Sequence, residues 1–150
     1  MFKILPVLLC ALFIQAFAQE HRNYKESYAL LDNTLYIGAQ LYNACKRHGY
    51  EIVKIDVDLV GAGTENSKGV LKNLSSDFNY TICCIGERTR IKSIELKVLR
   101  LKDEVLVGQD TVQVVLKNPV TGNYMIEISA VMQAGFENEM GYFYLTIAHD

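Results

Sequence analysis

Among the side chains of this 150-residue chain, one pair stands at a spacing that chemistry can use: Cys45 and His48, three apart in a stretch of helical periodicity. Residues three apart share a helix face, so a thiolate and an imidazole there can meet each other or a common metal ion. No third partner is identifiable, and each has a plainer account. His48 suits the negative end of a helix dipole, and Cys45 suits an apolar helix face. The remaining histidines, His21 near the N-terminus and His149 beside the last residue, read as solvated and complete no triad. The chain has no glycine-rich phosphate loop, no nucleophile elbow, no histidine pair at zinc spacing and no paired-cysteine motif.

The cysteines speak to compartment and cross-linking. Lys3, an apolar run from Ile4 to Ile14 and then Ala16-Phe17-Ala18 have the form of a signal peptide cut near Gln19. Cys10 follows Leu9 inside the apolar run, which does not suit a lipoprotein site. The expectation is a signal peptide over residues 1–18, a single domain over 19–150, and a secreted or periplasmic product with no membrane span after cleavage. In an oxidising compartment Cys45, Cys83 and Cys84 allow at most one disulfide. Cys83 and Cys84 are adjacent and point to opposite faces of a strand, so a bridge would join Cys45 to one of them. All three as buried thiols is the alternative.

The elements that must position these residues follow from periodicity. Glu26 to His48 reads as a helix, with Leu31, Leu35, Tyr42 and Cys45 near one face and Leu30, Ile37, Leu41 and Ala44 widening the stripe. Lys46, Arg47 and His48 crowd its last turn and Gly49 closes it, while Asp32-Asn33 offers a later start. From Tyr50 to Val60 the period becomes two, with Lys54, Asp56 and Asp58 on the polar, solvated face. Gly61 to Gly69 is a loop and Val70 to Leu74 a short strand. Phe78 to Ile85 is apolar on both faces, as in a strand that is central or covered by the helix. Ile91–Leu101, Val105–Val107, Thr111–Leu116, Tyr124–Ala130 and Tyr142–Ala148 follow as strands, parted by turns such as Asn118-Pro119-Val120-Thr121-Gly122-Asn123. Short strands at such spacing imply an antiparallel sandwich or barrel over about 50–148.

Nine tyrosines and no tryptophan offer a stacking or protein-binding face. Tyr80, Tyr124 and Tyr144 alternate into strands and read as core, leaving Phe136 and Tyr142 as the surface aromatics. A formal charge of −2 with dispersed basic residues argues against a nucleic-acid surface. Asn73-Leu74-Ser75 and Asn79-Tyr80-Thr81 fit the glycosylation acceptor pattern.

Strand order and local residues from about Leu71 to Ile147 resemble the bacterial pre-peptidase C-terminal domain, a small exported β-sandwich. The resemblance is carried by Phe78-Asn79-Tyr80-Thr81-Ile82, Ser93-Ile94-Glu95-Leu96-Lys97-Val98, Val105 to Thr111, Pro119 to Ile126 and Gly141-Tyr142-Phe143-Tyr144-Leu145. It implies a mainly β, antiparallel, jelly-roll-like sandwich with one N-terminal α-helix. Related domains can bind calcium through the acidic strand and the following loop, which here correspond to Glu95 and Asp110. Ser93 stands where the first acid belongs, and calcium wants six to eight oxygens, so no cofactor is expected. The reading that results is a small exported, non-catalytic binding or accessory domain that contacts a protein or polysaccharide. Its rivals are an enzyme using Cys45 and His48, and an envelope structural component assembled through an exposed sheet edge.

Overall fold

A computed structural model describes residue 26 and residues 28–150. The expected signal peptide, Cys10, His21 and the polar segment Gln19 to Lys25 lie outside the described residues. Helix α1 runs over 28–47, followed by strands β1 (Glu51–Gly61), β2 (Lys68–Leu74), β3 (Tyr80–Gly86), β4 (Ile91–Arg100), β5 (Val105–Asp110), β6 (Gln113–Leu116), β7 (Gly122–Met132) and β8 (Met140–His149). The protein is mainly β: two four-stranded antiparallel sheets, ordered β1-β8-β3-β6 and β2-β7-β4-β5, form a sandwich with one helix. Strand pairs β1/β8, β2/β7, β3/β6 and β4/β5 make a long double ribbon that crosses from sheet to sheet at each step.

Alternation along the strands sends one set of side chains between the sheets. Ile82, Leu96, Val98, Ile126, Ile128, Phe143, Leu145 and Ile147 are at most 1% exposed there, and Tyr124 is buried with its hydroxyl donating to the Val120 carbonyl at 2.7 Å. Each buried Leu, Ile or Phe removes enough apolar surface from water to stabilise the fold by roughly 1.5–3 kcal/mol. The two flanks close differently. At one, Asp58 of β1 meets Lys68 of β2 at 2.8 Å and Lys72 donates to the Val53 carbonyl. At the other, Gly108 of β5 lies so close to Val114 of β6 that a Cβ would overlap it.

The first sheet is also covered outside. Antiparallel neighbours share a face, so Tyr144 and Thr146 of β8 and Ile85 and Cys83 of β3 all point away from the core. Helix α1 lies over them: Thr34 and Gly38 are buried, and a Cβ at Gly38 would fall within the Tyr144 ring. The helix ends as its residues predict. Gly49 takes φ 80°, its N–H donates to Lys46 O at 3.1 Å and Tyr50 N–H donates to Cys45 O at 3.0 Å, a Schellman closure.

Two expectations need correction, for the apolar stripe of the helix and for His149. The helix itself forms ahead of Thr34, as the reading from Glu26 has it, and the Thr34 hydroxyl donates back to Leu30 O inside an already formed turn. The buried stripe is centred on Thr34 and Gly38, so Leu35 and Tyr42 are exposed, because the close seat on Tyr144 tolerates only small residues. On β1, Asp58 is exposed as expected, at the sandwich edge where it meets Lys68 and opposite Phe143, and Ile55 and Val57 lie opposite Thr146 and Tyr144 on the helix side. His149 is 9% exposed, stacked on Phe78 at 4.1 Å, because β8 runs on to pair it with Tyr80 and Glu51.

Two outcomes follow. Gly38→Ala should lower unfolding stability by about 1–3 kcal/mol in urea titration, since Tyr144 must move out of a packed interface. The Lys68 ammonium holds the Asp58 carboxyl below its ordinary range. A lowered folded pKa means stability that is present above the unfolded value of about 3.9 and lost as pH falls through the folded one. The stability gap between the native chain and Asp58→Asn should therefore shrink in thermal melts taken from pH 7 down to about 3.

Candidate functional site

Strand β3 outlasts its neighbour. The β3/β6 pairing stops at Cys83 opposite Gln113, with one more bond from Cys84 N–H to Val112 O at 3.0 Å. Beyond it β3 continues to Gly86 along β8 alone. In an antiparallel ladder successive residues turn their backbone groups to alternate sides. Cys84 faces β6, so Gly86, two on, offers its N–H and C=O on the side that β6 has left.

A cavity of about 220 Å³ occupies that gap, bounded by Ile37 of α1, Ile85 and Gly86 of β3, Lys92 and Ser93 of β4 and Thr111 before β6. Arg88 also lines it, and Arg88 and Lys92 are exposed. Among the described residues neither has an ion-pair partner. The cleft thus combines an open strand edge, an apolar wall and two cations.

Its rim is held by a carboxylate without solvent contact. Glu87 is 0% exposed, and its oxygens accept Thr89 N–H at 2.8 Å and Arg90 N–H at 3.2 Å. Its own N–H donates to Tyr142 O at 2.9 Å. Arg90 donates to Met140 O at 3.1 Å and pairs with Glu139 at 3.3 Å, while Gln133 N–H donates to Arg90 O at 2.7 Å. Each end of the loop is fastened, which leaves Arg88 and Thr89 at a rigid tip. Beneath them Ile91 is wedged so tightly that a Cβ on Gly86 or Gly141 would stand 2.8 or 2.7 Å from it.

The residues expected from sequence are placed apart. Glu95 lies on the exposed face of the second sheet, accepting Ser129 Oγ–H at 3.3 Å. Asp110 is opposite Leu96, whose side chain is in the core, and the alternation of β4 puts Glu95 on the reverse face. The two carboxylates share no site, and Asp110 instead accepts the N–H groups of Thr111 and Val112. Among the described residues no cluster of three or more His, Cys, Asp or Glu is arranged to hold a metal ion. Phe136, in the β7–β8 loop, and Tyr142, on β8, are both half-buried. Cys45 faces the sheet while His48 is exposed at the helix end.

All three described cysteines are free thiols. Burial raises each of them: Cys45 above its usual value, Cys83 to about 11 through burial and then the neighbouring Cys45, and Cys84, wholly within the core, further still. At neutral pH they stay protonated. An activated nucleophile needs the opposite shift.

No protein-family model and no curated protein matches this chain. The cleft residues themselves gave little signal in sequence. Gly86-Glu87-Arg88-Thr89-Arg90 reads as a charged loop, and only a long-range fact, the early end of β6, makes it a rim. A Glu two and three residues before exposed polar positions is the one local hint of a carboxylate that folds back on its own turn.

Glu87→Ala should cost about 2–4 kcal/mol in chemical denaturation, because two amides lose their acceptor in a dry setting. Glu87→Gln, which keeps one acceptor oxygen, should recover part of that loss. Hydrogen exchange should speed at Thr89 and Arg90 in both variants.

Proposed function

We propose that this chain is a small, exported, non-catalytic binding domain of the jelly-roll type, akin to the pre-peptidase C-terminal domain, and that it contacts a protein. The observation that carries the reading is the cleft at the open end of β3. A strand edge with unfilled backbone groups takes an extended segment by main-chain pairing, and flanking pockets select its side chains. Arg88 and Lys92 select carboxylates among them, because two exposed cations at one mouth are satisfied together by an acidic ligand. The wrapped ribbon of strand pairs supports the jelly-roll assignment, and Ala16-Phe17-Ala18 supports export. The three raised thiols and the scattered carboxylates favour binding over catalysis.

A polysaccharide would meet the same face without using the strand edge, so the two partner classes separate by experiment. The purified protein is applied to an array of extended peptides graded in carboxylate content, with polygalacturonate as the anionic sugar polymer. Acidic peptides should be retained, with affinity falling as salt rises. Arg88→Glu combined with Lys92→Glu should weaken retention at least tenfold with an unchanged melting temperature, since both residues are exposed. Equal retention by native and double variant, or retention of the sugar polymer alone, would overturn the assignment.

A further inference from the structure

The side of the first sheet that lies under α1 holds two of the three described thiols. Cys83 is buried on β3 and, by alternation, points to the helix side, whereas Cys84 belongs to the cluster between the sheets. Cys45 is seven residues, two turns, beyond Gly38 and therefore on the same helix face that meets Tyr144.

The direction of the helix decides where along the sheet Cys45 stands. Residues 48–50 turn the chain from α1 into β1, whose first residue Glu51 pairs with His149 at the far end of β8. Since β1 runs antiparallel to β8, α1 runs with β8, from the level of Tyr144 at Gly38 toward the level of His149 at Tyr50. Seven helical residues advance about 10 Å, the length of about three strand residues. Counting three from Tyr144 brings Cys45 level with Ile147, next to Thr146, the residue paired with Cys83, and Cys45 is a direct electrostatic neighbour of the Cys83 thiol.

Other neighbours of that spot leave it free for a bridge. Thr146 Oγ1 is buried with no hydrogen-bond partner at bonding distance, and Cys83 Sγ has only a long 3.7 Å contact with Gln113 Oε1. The Cys83 thiol is therefore not tied by a strong bond that oxidation would break.

We propose that Cys45 and Cys83 form a disulfide that fastens helix α1 to the outer face of the first sheet, with Cys84 remaining a core thiol. The oxidant is a small disulfide such as oxidised glutathione. The half-buried Cys45 thiolate attacks it, forming a mixed disulfide and releasing one glutathione thiolate. Cys83 thiolate then attacks the Cys45 sulfur, releasing the second. Two protein thiols are oxidised and one disulfide is reduced to two thiols, with two protons passing to solvent and the leaving groups. The raised pKa of Cys83 makes the second step slow at neutral pH and faster as pH approaches 9.

The test uses the folded full chain with Cys10→Ser, so that only the three described cysteines can react. After incubation of the folded chain with oxidised glutathione at pH 8.5 and an acid quench, the protein is unfolded in guanidinium chloride so that the buried Cys84 can react, free thiols are alkylated, the protein is reduced and digested, and the label is located by fragment-ion mass spectrometry. The expected result is one alkyl label per chain, on Cys84, with an intact mass 2 Da lower before reduction and a melting temperature raised by roughly 5–15 °C in the oxidised form. Label on Cys83 or on Cys45, or three labels per chain with no loss of mass, would overturn the proposal. Because the readout is the position of the label in a chain with an intact core, it does not depend on whether a Cys83 or Cys84 variant folds.

Discussion

The constraint on which the molecule depends is that β8, central in its first sheet, is buried on both faces. Most sandwiches leave their outer faces wet, and alternating polar residues on the outward positions allow it. Here β8 is buried at nearly every position from Phe143 to His149, because Phe143, Leu145 and Ile147 fill the interior while Tyr144, Thr146 and Ala148 support α1. Gly38 is the point of closest approach between the two layers, and it sets how near the helix can come. Lifting the helix would expose Tyr144, Cys83 and Thr146 to water together.

That double burial explains which parts of the fold were legible. Ile94, Leu96 and Val98 alternate with polar residues because β4 has one wet face, and the strand can be read directly. Strand β1 also alternates: Ile55 and Val57 lie on the helix side and Asp58 stays exposed at a flank where it meets Lys68, so both the period and the solvated acidic position can be read from the residues. On the helix, hydrophobicity pointed to Leu35 and Tyr42, while contact is made through Thr34 and Gly38. Close packing rewards small residues, which hydrophobic patterns undervalue. His149 looked solvated for a different reason, since a strand's pairing partners are set at long range and sequence position says nothing of them.

Glu87 belongs to the same class of hidden fact. A carboxylate in a loop of charged residues reads as surface, and the surface reading is normally right. What reverses it is a turn that brings two amides onto one side chain, at a place where Ile91, Gly86 and Gly141 exclude water. The carboxyl is tolerated because its oxygens are answered by donors at short range, and in a medium of low polarity those bonds are strong. The loop that results is fastened at its ends and open at Arg88.

Asp110 connects these features. By resemblance it belongs to a calcium site, and it does use its carboxylate, but on the chain itself. Its oxygen accepts Thr111 N–H and Val112 N–H, which bends the backbone at the start of β6. Val112 N–H, so engaged, is turned toward Asp110, and the ladder closes with the single bond from Cys84 to Val112 O. By the register of β3 and β6 the residue that would stand opposite Gly86 is Asp110 itself, which is already paired with Leu96 in the other sheet. The crossing of the chain from β5 to β6 therefore leaves β6 short of Gly86, and the cleft beside Arg88 and Lys92 opens there. The Asp110 side chain thus acts as a turn former at the point where the chain passes from one sheet to the other.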